Sequence, residues 1–167
     1  MKLIVAVDKK WGIGKKNDLL FSIPEDMKHF RQITSGKTVV MGLNTLLSFP
    51  GGRPLKNRVN IVLSDKDIPE QDGLIICRSI DELAAEIKKH TPDDVYIVGG
   101  GMMYRQFCDY CSEAEITKVD ADGEATVFFP NLDEKPNWEC AAVADPIETN
   151  GYTVRFCTYK NKEIKEL

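Results

Sequence analysis

The chain has 167 residues, of which 43% are hydrophobic and 29% are charged. This length and composition predict one domain over residues 1–167 with a substantial buried core. The formal net charge is -4 at pH 7, and charges of both signs are scattered along the chain. No basic stripe or long apolar run indicates a nucleic-acid or membrane partner, and we expect a monomer.

The N-terminus and the cysteines indicate a cytoplasmic protein. The first apolar run, Leu3 to Val7, is five residues long and too short for the apolar core of a signal peptide. The five cysteines have no spacing typical of a disulfide framework, which favours a reduced setting. Cys108 and Cys111 form a lone C-x-x-C pair. Two packed thiols are a better interpretation of it than a redox or zinc site, so we predict no metal.

In chain order, short β-branched apolar runs alternate with helical patterns. The runs predict buried strands over residues 3–7, 38–41, 59–63, 74–77 and 95–98. The helical patterns begin at Pro24, at Leu43, after Ser79 and after the glycines 99–101. This alternation predicts an α/β fold with a mostly parallel central sheet and helices on both faces. Three strand patterns after residue 112 predict an antiparallel C-terminal edge and complete an eight-stranded sheet.

Asp26 is the first candidate for chemistry. If the segment from Pro24 is helical, one apolar stripe contains Asp26 together with Ile23, Met27, Phe30 and Ile33. An aspartate in a first helical turn often does no more than complement the helix dipole. A carboxylate among apolar side chains, in contrast, gains proton affinity and is typical of functional sites. The helix pattern alone leaves both interpretations open.

Two glycine-containing turns follow predicted strands. In the first, Gly42 ends a strand, and Asn44 and Thr45 supply donors at the start of a helix. In the second, three glycines follow a strand, and Tyr104 stands where a G-x-G-x-x-G motif would have its last glycine. A tight turn explains either one alone equally well. Together, two phosphate-binding turns at the carboxyl edge of an open sheet indicate an extended dinucleotide.

Two further segments are candidates for ligand contact. The stretch between Asp8 and Ile23 contains two glycines and is longer than a typical connection, which predicts a loop that acts as a lid. Arg53 and Arg58 flank a Pro-Leu turn. Each arginine is either a solvated side chain or a clamp for a carboxylate, and the turn itself does not distinguish the two.

Seven motifs run through nearly the whole chain in one order. They are A-V-D with W-G-I-G, I-P-E-D-M-K-H-F, V-V-M-G-x-N-T, F-P-G-G-R-P-L-x-N-R, I-V-L-S, I-V-G-G-G and E-I-T-K-V-D-A. They resemble the dihydrofolate reductase family of bacterial type. The resemblance implies an oxidoreductase of one-carbon metabolism, inhibited by antifolates, that transfers a hydride from NADPH to C6 of 7,8-dihydrofolate with protonation at N5. It implies Asp26 as the acid that binds the pterin, Thr117 as the hydroxyl bonded to that acid, and Arg58 as the clamp for the folate carboxylate.

The same resemblance implies the lining of both ligand sites. The pterin would lie among Ile4, Val5, Ala6, Met27, Phe30, Phe49, Leu55, Val98 and Tyr104. NADPH would contact Ala6, Ile13, Gly14, Leu19, Gly42, Leu43, Asn44, Thr45, Leu63, Ser64, Asp65, Lys66, Arg78, Val98, Gly100, Gly101, Met102, Met103, Tyr104 and Gln106. A cis peptide bond between Gly99 and Gly100 is implied as well.

The chain departs from the family pattern at several positions. Phe21 replaces the tryptophan of a lid motif and has no indole N–H to bind a water near the acid. Leu43 and Met102 stand where relatives often have arginines on the cofactor phosphates. Thr126 stands where an acid often precedes the F-P motif, which puts one hydrogen bond of the lid in question.

Two alternative functions are compatible with the same predicted fold. One is a pyrimidine reductase of riboflavin synthesis, and the other is a non-catalytic nucleotide-binding module. The helix acid beside Phe30, together with Arg58, argues against the first. Missing arginines at the cofactor phosphates would favour the second.

Overall fold

Apolar β-branched segments and turn residues divide the chain into strands and helices in the computed structural model, which describes residues 1–15 and 18–167. Its strands, numbered in chain order, are β1 Lys2–Val7, β2 Gly12–Lys15, β3 Asp18–Leu19, β4 Thr38–Gly42, β5 Val59–Leu63, β6 Leu74–Cys77, β7 Val95–Gly99, β8 Glu113–Val119, β9 Val127–Phe128, β10 Trp138–Val143, β11 Ile147–Thr149 and β12 Tyr152–Asn161. The α-helices are α1 Pro24–Thr34, α2 Leu43–Ser48, α3 Ile80–Ile87 and α4 Gly101–Phe107. Within these described residues, no helix is long and apolar enough to cross a membrane.

The predicted sheet is present and mostly parallel. Its strand order is β10-β12-β8-β1-β7-β4-β5-β6, and the pairing is parallel from β8 to β6. At the other end, β12 pairs antiparallel with β8, β10 and the short β11. The fold class is therefore confirmed, and β11 adds a ninth strand to the eight that the sequence predicts.

The segment between Asp8 and Ile23 contains short strands where the sequence predicts a loop. In a separate three-stranded sheet, β2 pairs antiparallel with β3 and with β9. The buried Asp8 carboxylate accepts bonds from the N–H groups of Gly12 at 2.7 Å and Gly123 at 3.0 Å. The loop prediction is wrong for β2 and β3, because a bond between distant parts of the chain orders them. Lys16 and Asn17, in the same segment, lie outside the described residues.

Strand alternation accounts for the helices on both faces of the sheet. Val40 of β4 belongs to an apolar cluster that also contains Leu83 of α3. Its neighbours Val39 and Met41 belong to a different cluster, together with Leu46 of α2. Successive side chains of a strand point to opposite faces, so both faces of the parallel sheet are covered.

Helix starts follow the predicted signals more closely than helix ends. Pro24 is the first residue of α1. The Ser79 hydroxyl accepts a 3.1 Å bond from the N–H of Glu82 and caps α3. The helical pattern continues to His90, but α3 ends at Ile87. The cap is a local interaction that residue types specify, whereas the end of the helix depends on packing.

Asn60 of β5 fixes the Pro-Leu turn from inside the sheet. Its side chain is fully buried, and its amide oxygen accepts a 2.9 Å bond from the Leu55 N–H. Its amide nitrogen donates to the carbonyl oxygens of Leu55 at 2.9 Å and Arg58 at 3.2 Å. One side chain therefore satisfies three backbone groups of a turn that has no strand partner of its own.

We expect Asn60→Ala to lower the free energy of unfolding by ~2–4 kcal/mol, because each lost bond leaves a buried backbone group without a partner. Urea denaturation followed by circular dichroism measures this change. Gln71→Ala, which truncates an exposed amide, is the matched control and should stay within about 0.5 kcal/mol. Equal stability of Asn60→Ala and the parent protein would contradict the role of Asn60.

Candidate functional site

Glycines end two neighbouring strands at the carboxyl edge of the sheet. Gly42 ends β4 and Gly99 ends β7, and these strands are paired. A Cβ atom on Gly99 would lie 3.0 Å from Oγ1 of Thr45, and one on Gly101 would lie 2.7 Å from Val127. The backbone therefore comes closer to its surroundings at these glycines than a larger residue allows.

The helices that follow these strands begin without side-chain caps. α2 starts after Gly42 and α4 starts after Gly100, and neither first turn receives a capping bond from a described side chain. N–H groups at both helix starts are therefore available to an anion. The peptide bond between Gly99 and Gly100 is cis, as the resemblance implies.

Asp26 is a half-buried carboxyl in the first turn of α1. Burial raises the pKa of this group above its ordinary value of 3.8, while a hydrogen bond with the Thr117 side chain and the nearby His29 lower it in part. Thr117 is a buried residue of β8, which pairs with β1. A helix-dipole role requires no burial, so this environment favours the functional interpretation of Asp26.

Tyr104 brings α4 close to both β1 and the acid. Its side chain is buried, and its hydroxyl donates a 2.8 Å bond to the carbonyl oxygen of Ile4. Burial raises the pKa of Tyr104, and the Asp26 carboxylate adds to this effect. Because β1 is the neighbour of β8, the strand of Thr117, the bond from Tyr104 links the glycine turn before α4 to the surroundings of the acid.

Arg58 is the half-buried cation of the predicted clamp. Its Nε donates to the carbonyl oxygen of Lys56 at 3.0 Å, and its Nη1 donates to Oγ1 of Thr34 at 3.4 Å. Its guanidinium carbon lies 6.0 Å from the centre of the Phe30 ring. Burial and then repulsion from Arg31 lower the pKa of Arg58. In the described part of the chain this arginine forms no ion pair, which leaves its charge for an anionic ligand.

The remaining predicted lining residues differ in exposure. Among them, the buried ones are Ile4, Ser64, Met103 and Tyr104. The half-buried ones are Val5, Ala6, Ile13, Gly14, Phe30, Gly42, Leu43, Thr45, Phe49, Leu55, Leu63, Val98, Gly100 and Gly101. The exposed ones are Leu19, Met27, Asn44, Asp65, Lys66, Arg78, Met102 and Gln106. The apolar stripe of α1 is thus covered at Ile23 but 60% exposed at Met27, next to the acid.

Two of the side chains predicted to bind cofactor already bond to protein groups. The Ser64 hydroxyl donates to the carbonyl oxygen of Lys66 at 3.0 Å and accepts from the N–H of Lys66 at 3.1 Å. Arg78 forms a 2.7 Å ion pair with Asp67. Leu43, where relatives often have an arginine, packs against the apolar cluster beside α2. Ser64 and Arg78 would therefore have to give up these protein bonds to bind a ligand, and Leu43 has no polar group to offer.

Two other departures from the family pattern lie in ordered surroundings. The Phe21 ring packs edge-on against Tyr152, with ring centres 5.0 Å apart. The backbone N–H of Thr126 donates to the carbonyl oxygen of Gly14 at 2.8 Å. The segment around β2 is therefore bonded to the chain before β9 without the acid that relatives often have.

Sequence analysis assigned no role at this site to His29 or Thr34. The His29 ring stacks on Phe156, with centres 4.0 Å apart. The buried Thr34 hydroxyl donates to the carbonyl oxygen of Phe30 and lies within bonding distance of Arg58. His29 follows Asp26 by three residues, and this helical spacing is the signal that would have identified it. Thr34 is four residues after Phe30 and has no such spacing from the acid.

The comparisons with known proteins agree with one another. A family model described as dihydrofolate reductase matches residues 1–161. Dihydrofolate reductase of Bacillus subtilis (strain 168) is 32% identical over 164 residues, which cover 97% of this chain and 95% of the relative. That of Haemophilus influenzae is 35% identical over 137 residues, covering 82% and 80%. A solved structure of dihydrofolate reductase from Enterococcus faecalis complexed with NADP(H) and RAB-propyl has a TM-score of 0.82 and 29% identity, covering 96% and 95%.

The environment of Asp26 predicts that the carboxyl group lowers the stability of the fold at the position where it would serve the reaction. Because the pKa of Asp26 is raised in the fold, the folded state binds its proton more tightly than the unfolded state does. The free energy of unfolding therefore falls as the pH rises from the ordinary value of 3.8 through the raised pKa. Asp26→Asn removes the charge, so we expect its Tm to exceed that of the parent by a few degrees at pH 8, and the gain to vanish towards pH 4.

Differential scanning calorimetry of both proteins between about pH 4 and pH 8 measures this effect, and about 1 kcal/mol corresponds to ~2–4 °C for a domain of this size. Glu25→Gln removes a charge from the same helical turn at an exposed position. This control should show no gain at pH 8. If Asp26→Asn is less stable than the parent at pH 8, burial is not the largest influence on the pKa of Asp26.

Proposed function

The chain belongs to the dihydrofolate reductase family, which makes it an NADPH-dependent reductase of dihydrofolate, and on that premise we propose that Asp26 is the acid that holds the pterin. The observation that carries this proposal is the half-buried Asp26 carboxyl with its raised pKa and its Thr117 partner. The product is 5,6,7,8-tetrahydrofolate. Family membership decides against the pyrimidine reductase and the non-catalytic module.

Residues at the carboxyl edge of the sheet fit the cofactor. The close approach of the backbone at Gly101 and the uncapped helix starts after Gly42 and Gly100 suit a pyrophosphate, with Thr45 as a hydroxyl donor. When bound, NADPH supplies the hydride that is added to C6 of the pterin. The nicotinamide would be held by Ala6, Ile13, Gly14 and Tyr104, and the adenosine end by Ser64, Lys66, Arg78 and Gln106.

Asp26 acts by holding charge and hydrogen bonds at the pyrimidine edge of the pterin. Burial raises the pKa of Asp26, so this carboxyl shares a proton with a bound ring more readily than an exposed aspartate does. Thr117 orients the carboxyl from β8. The position of Asp26 on the pyrimidine edge leaves N5 at a distance, so a water near the β2 segment delivers the proton there.

Arg58 gives the site its second anchor. Two of its donors are used by Lys56 and Thr34, which fixes the direction of the guanidinium. A guanidinium without an acidic partner matches a carboxylate of the folate tail. The pterin end and the tail of the substrate therefore meet side chains of opposite charge.

We also propose that the protein is a cytoplasmic monomer that binds no nucleic acid. Support comes from its free cysteines, four of the five being buried, from its net charge of -4, and from a site whose acid, clamp and glycine turns all come from one chain. Antifolate inhibitors would bind at the same acid.

Asp26→Asn should fold and lose ~10²–10⁴-fold in kcat at pH 7, because an amide cannot share its proton with the pterin. The loss should shrink at low pH, where the substrate is protonated without help. The decrease in NADPH absorbance with dihydrofolate measures both effects. If turnover at pH 7 stays within about twofold of the parent, Asp26 is not the acid.

Arg58→Ala should raise the KM for dihydrofolate by ~10–100-fold, the equivalent of one lost hydrogen bond between charged groups. The KM for NADPH should change by less than about twofold, since the clamp touches only the folate tail. Arg53→Ala is the matched control, because it removes an exposed arginine from the same turn. Equal weakening of both ligands by Arg58→Ala would indicate a structural role for the arginine.

A further inference from the structure

A second titratable group lies beside Asp26, between α1 and the sheet. His29 follows Asp26 by three residues and so shares its side of the helix. Its imidazole stacks on the Phe156 ring, with centres 4.0 Å apart and planes at 23°. Phe156 of β12 is the strand partner of Thr117, the residue bonded to Asp26. The imidazole is therefore held over the strand pair that also holds the acid.

A second carboxylate, Glu115 of β8, lies on the sheet near the strand pair that the His29 imidazole covers. It precedes Thr117 by two residues and so lies on the same face of β8. The Thr158 hydroxyl, on the partner strand, lies 3.3 Å and 3.1 Å from its two carboxylate oxygens and donates a bond to this group. Among the described residues Glu115 forms no ion pair, whereas Glu113 on the same face is bonded to Lys2 at 3.2 Å.

We propose that His29 is a positioning residue for the reaction, which sets how tightly Asp26 holds its proton, with Glu115 as the counter-charge of the imidazole. This inference rests on the proposed role of Asp26. A protonated imidazole favours the ionised form of a neighbouring carboxylate, and the ionised carboxylate favours the protonated imidazole. Imidazole gains and loses its proton in the pH range in which enzymes work. Asp26 and His29 therefore titrate as a coupled pair.

The electrostatics of the three groups agree with this geometry. Burial lowers the pKa of His29, and the Asp26 and then the Glu115 carboxylates raise it in part. His29 in turn lowers the raised pKa of Asp26. Each carboxylate thus keeps the half-buried imidazole closer to protonation than burial alone would, and each proton that His29 takes up opposes protonation of Asp26.

The other titratable groups nearby are exposed or already bonded. On α1, the exposed ones are Glu25, Lys28 and Arg31. On the sheet face, Lys2 is bonded to Glu113, and Lys160 lies 3.9 Å from Glu113. Tyr96 of β7 is buried beside Lys2, and Tyr104 of α4 is bonded to the carbonyl oxygen of Ile4. Glu115 is therefore the carboxylate of the sheet that is left to interact with the imidazole.

Packing alone does not require a histidine at this position. Stacking on Phe156 needs only an aromatic ring, and burial of an imidazole costs solvation free energy that a phenylalanine would not lose. The proton that the ring can carry is what distinguishes His29 from a packing residue.

The first measurement is the pH dependence of kcat. His29→Phe keeps the stack and removes the titration. Because Asp26 loses a neighbouring positive charge, the limb on which kcat falls with rising pH should move upward by ~0.5–1 pH unit, the lower part of what a nearby charge produces. His90→Gln is the control, because it replaces the chain's other histidine, 3.1 Å from Glu86 at the end of α3. Its profile should match that of the parent.

The second measurement is an NMR titration of the imidazole C–H signals. The chain has two histidines, so the spectrum of His90→Gln assigns the signal of His29. Thermodynamic linkage requires that ionisation of Asp26 shifts the pKa of His29 by as much as protonation of His29 shifts the pKa of Asp26. The pKa of His29 should therefore fall by ~0.5 or more in Asp26→Asn, and it should also fall in Glu115→Gln. This measurement needs no turnover, so it tests the coupling even if His29→Phe does not fold.

The results separate this inference from the proposed function. If the pKa of His29 moves in neither variant, or if His29→Phe folds and keeps the parent pH profile, His29 does not set the proton affinity of Asp26. Loss of turnover in Asp26→Asn would then still support the acid. If Asp26→Asn keeps full turnover, the role of Asp26 fails, and the proposed role of His29 in the reaction fails with it.

Discussion

One half-buried carboxyl is central to how the site of this protein is built. Asp26 is placed where burial favours its neutral form, and Thr117 and His29 offset that effect only in part. The start of α1 is anchored at Ile23, in an apolar cluster with Val119 of β8 and Val154 of β12. That anchor brings the first turn of the helix onto the strand that carries Thr117. This contact, together with the stack of His29 on Phe156, holds the acid and its hydrogen-bond partner close to each other.

The rest of the site is assembled by the edge of the parallel sheet. Parallel strands end at the same edge, so the glycines of β4 and β7 come together without any sequence proximity. Tyr104 then bonds from α4 to β1, which is the parallel neighbour of the strand that carries Thr117. On the far side, Asn60 holds the turn that presents Arg58. The buried polar side chains of Thr117 and Asn60 thus position Asp26 and Arg58, which are only half-buried.

Local patterns were enough to predict much of this arrangement. The strands of the parallel sheet are short β-branched runs, and Ser79 marks the start of α3 through a bond within one turn. Asp26 is identified by its place in a helical stripe, and the motifs of the family supply its role. These features depend on residues close in sequence or on a pattern that many relatives share.

The features that the sequence did not predict depend on contacts between distant residues. The strands β2 and β3 have no β-branched alternation, and β2 is paired with β9, which lies far away in the sequence. Periodicity placed Met27 on the apolar face of α1, but whether a face is covered depends on the elements that reach it. The same holds for His29, whose spacing from Asp26 was visible but whose contact with Phe156 requires the register of β8 and β12.

The two charged groups proposed to bind the substrate differ from the paired charges that stabilise the described part of the fold. Charges that stabilise the fold are paired within it, as Lys2 is with Glu113 and Arg78 with Asp67. Asp26 and Arg58 have hydrogen-bond partners but no opposite charge in an ion pair, and burial shifts the pKa of each towards its neutral form. Dihydrofolate can relieve both at once, because its ring gains a proton during the reaction and its tail carries carboxylates. In the proposed binding mode, the reverse direction would place like charges together at both ends, so the orientation of the substrate would follow from Asp26 and Arg58.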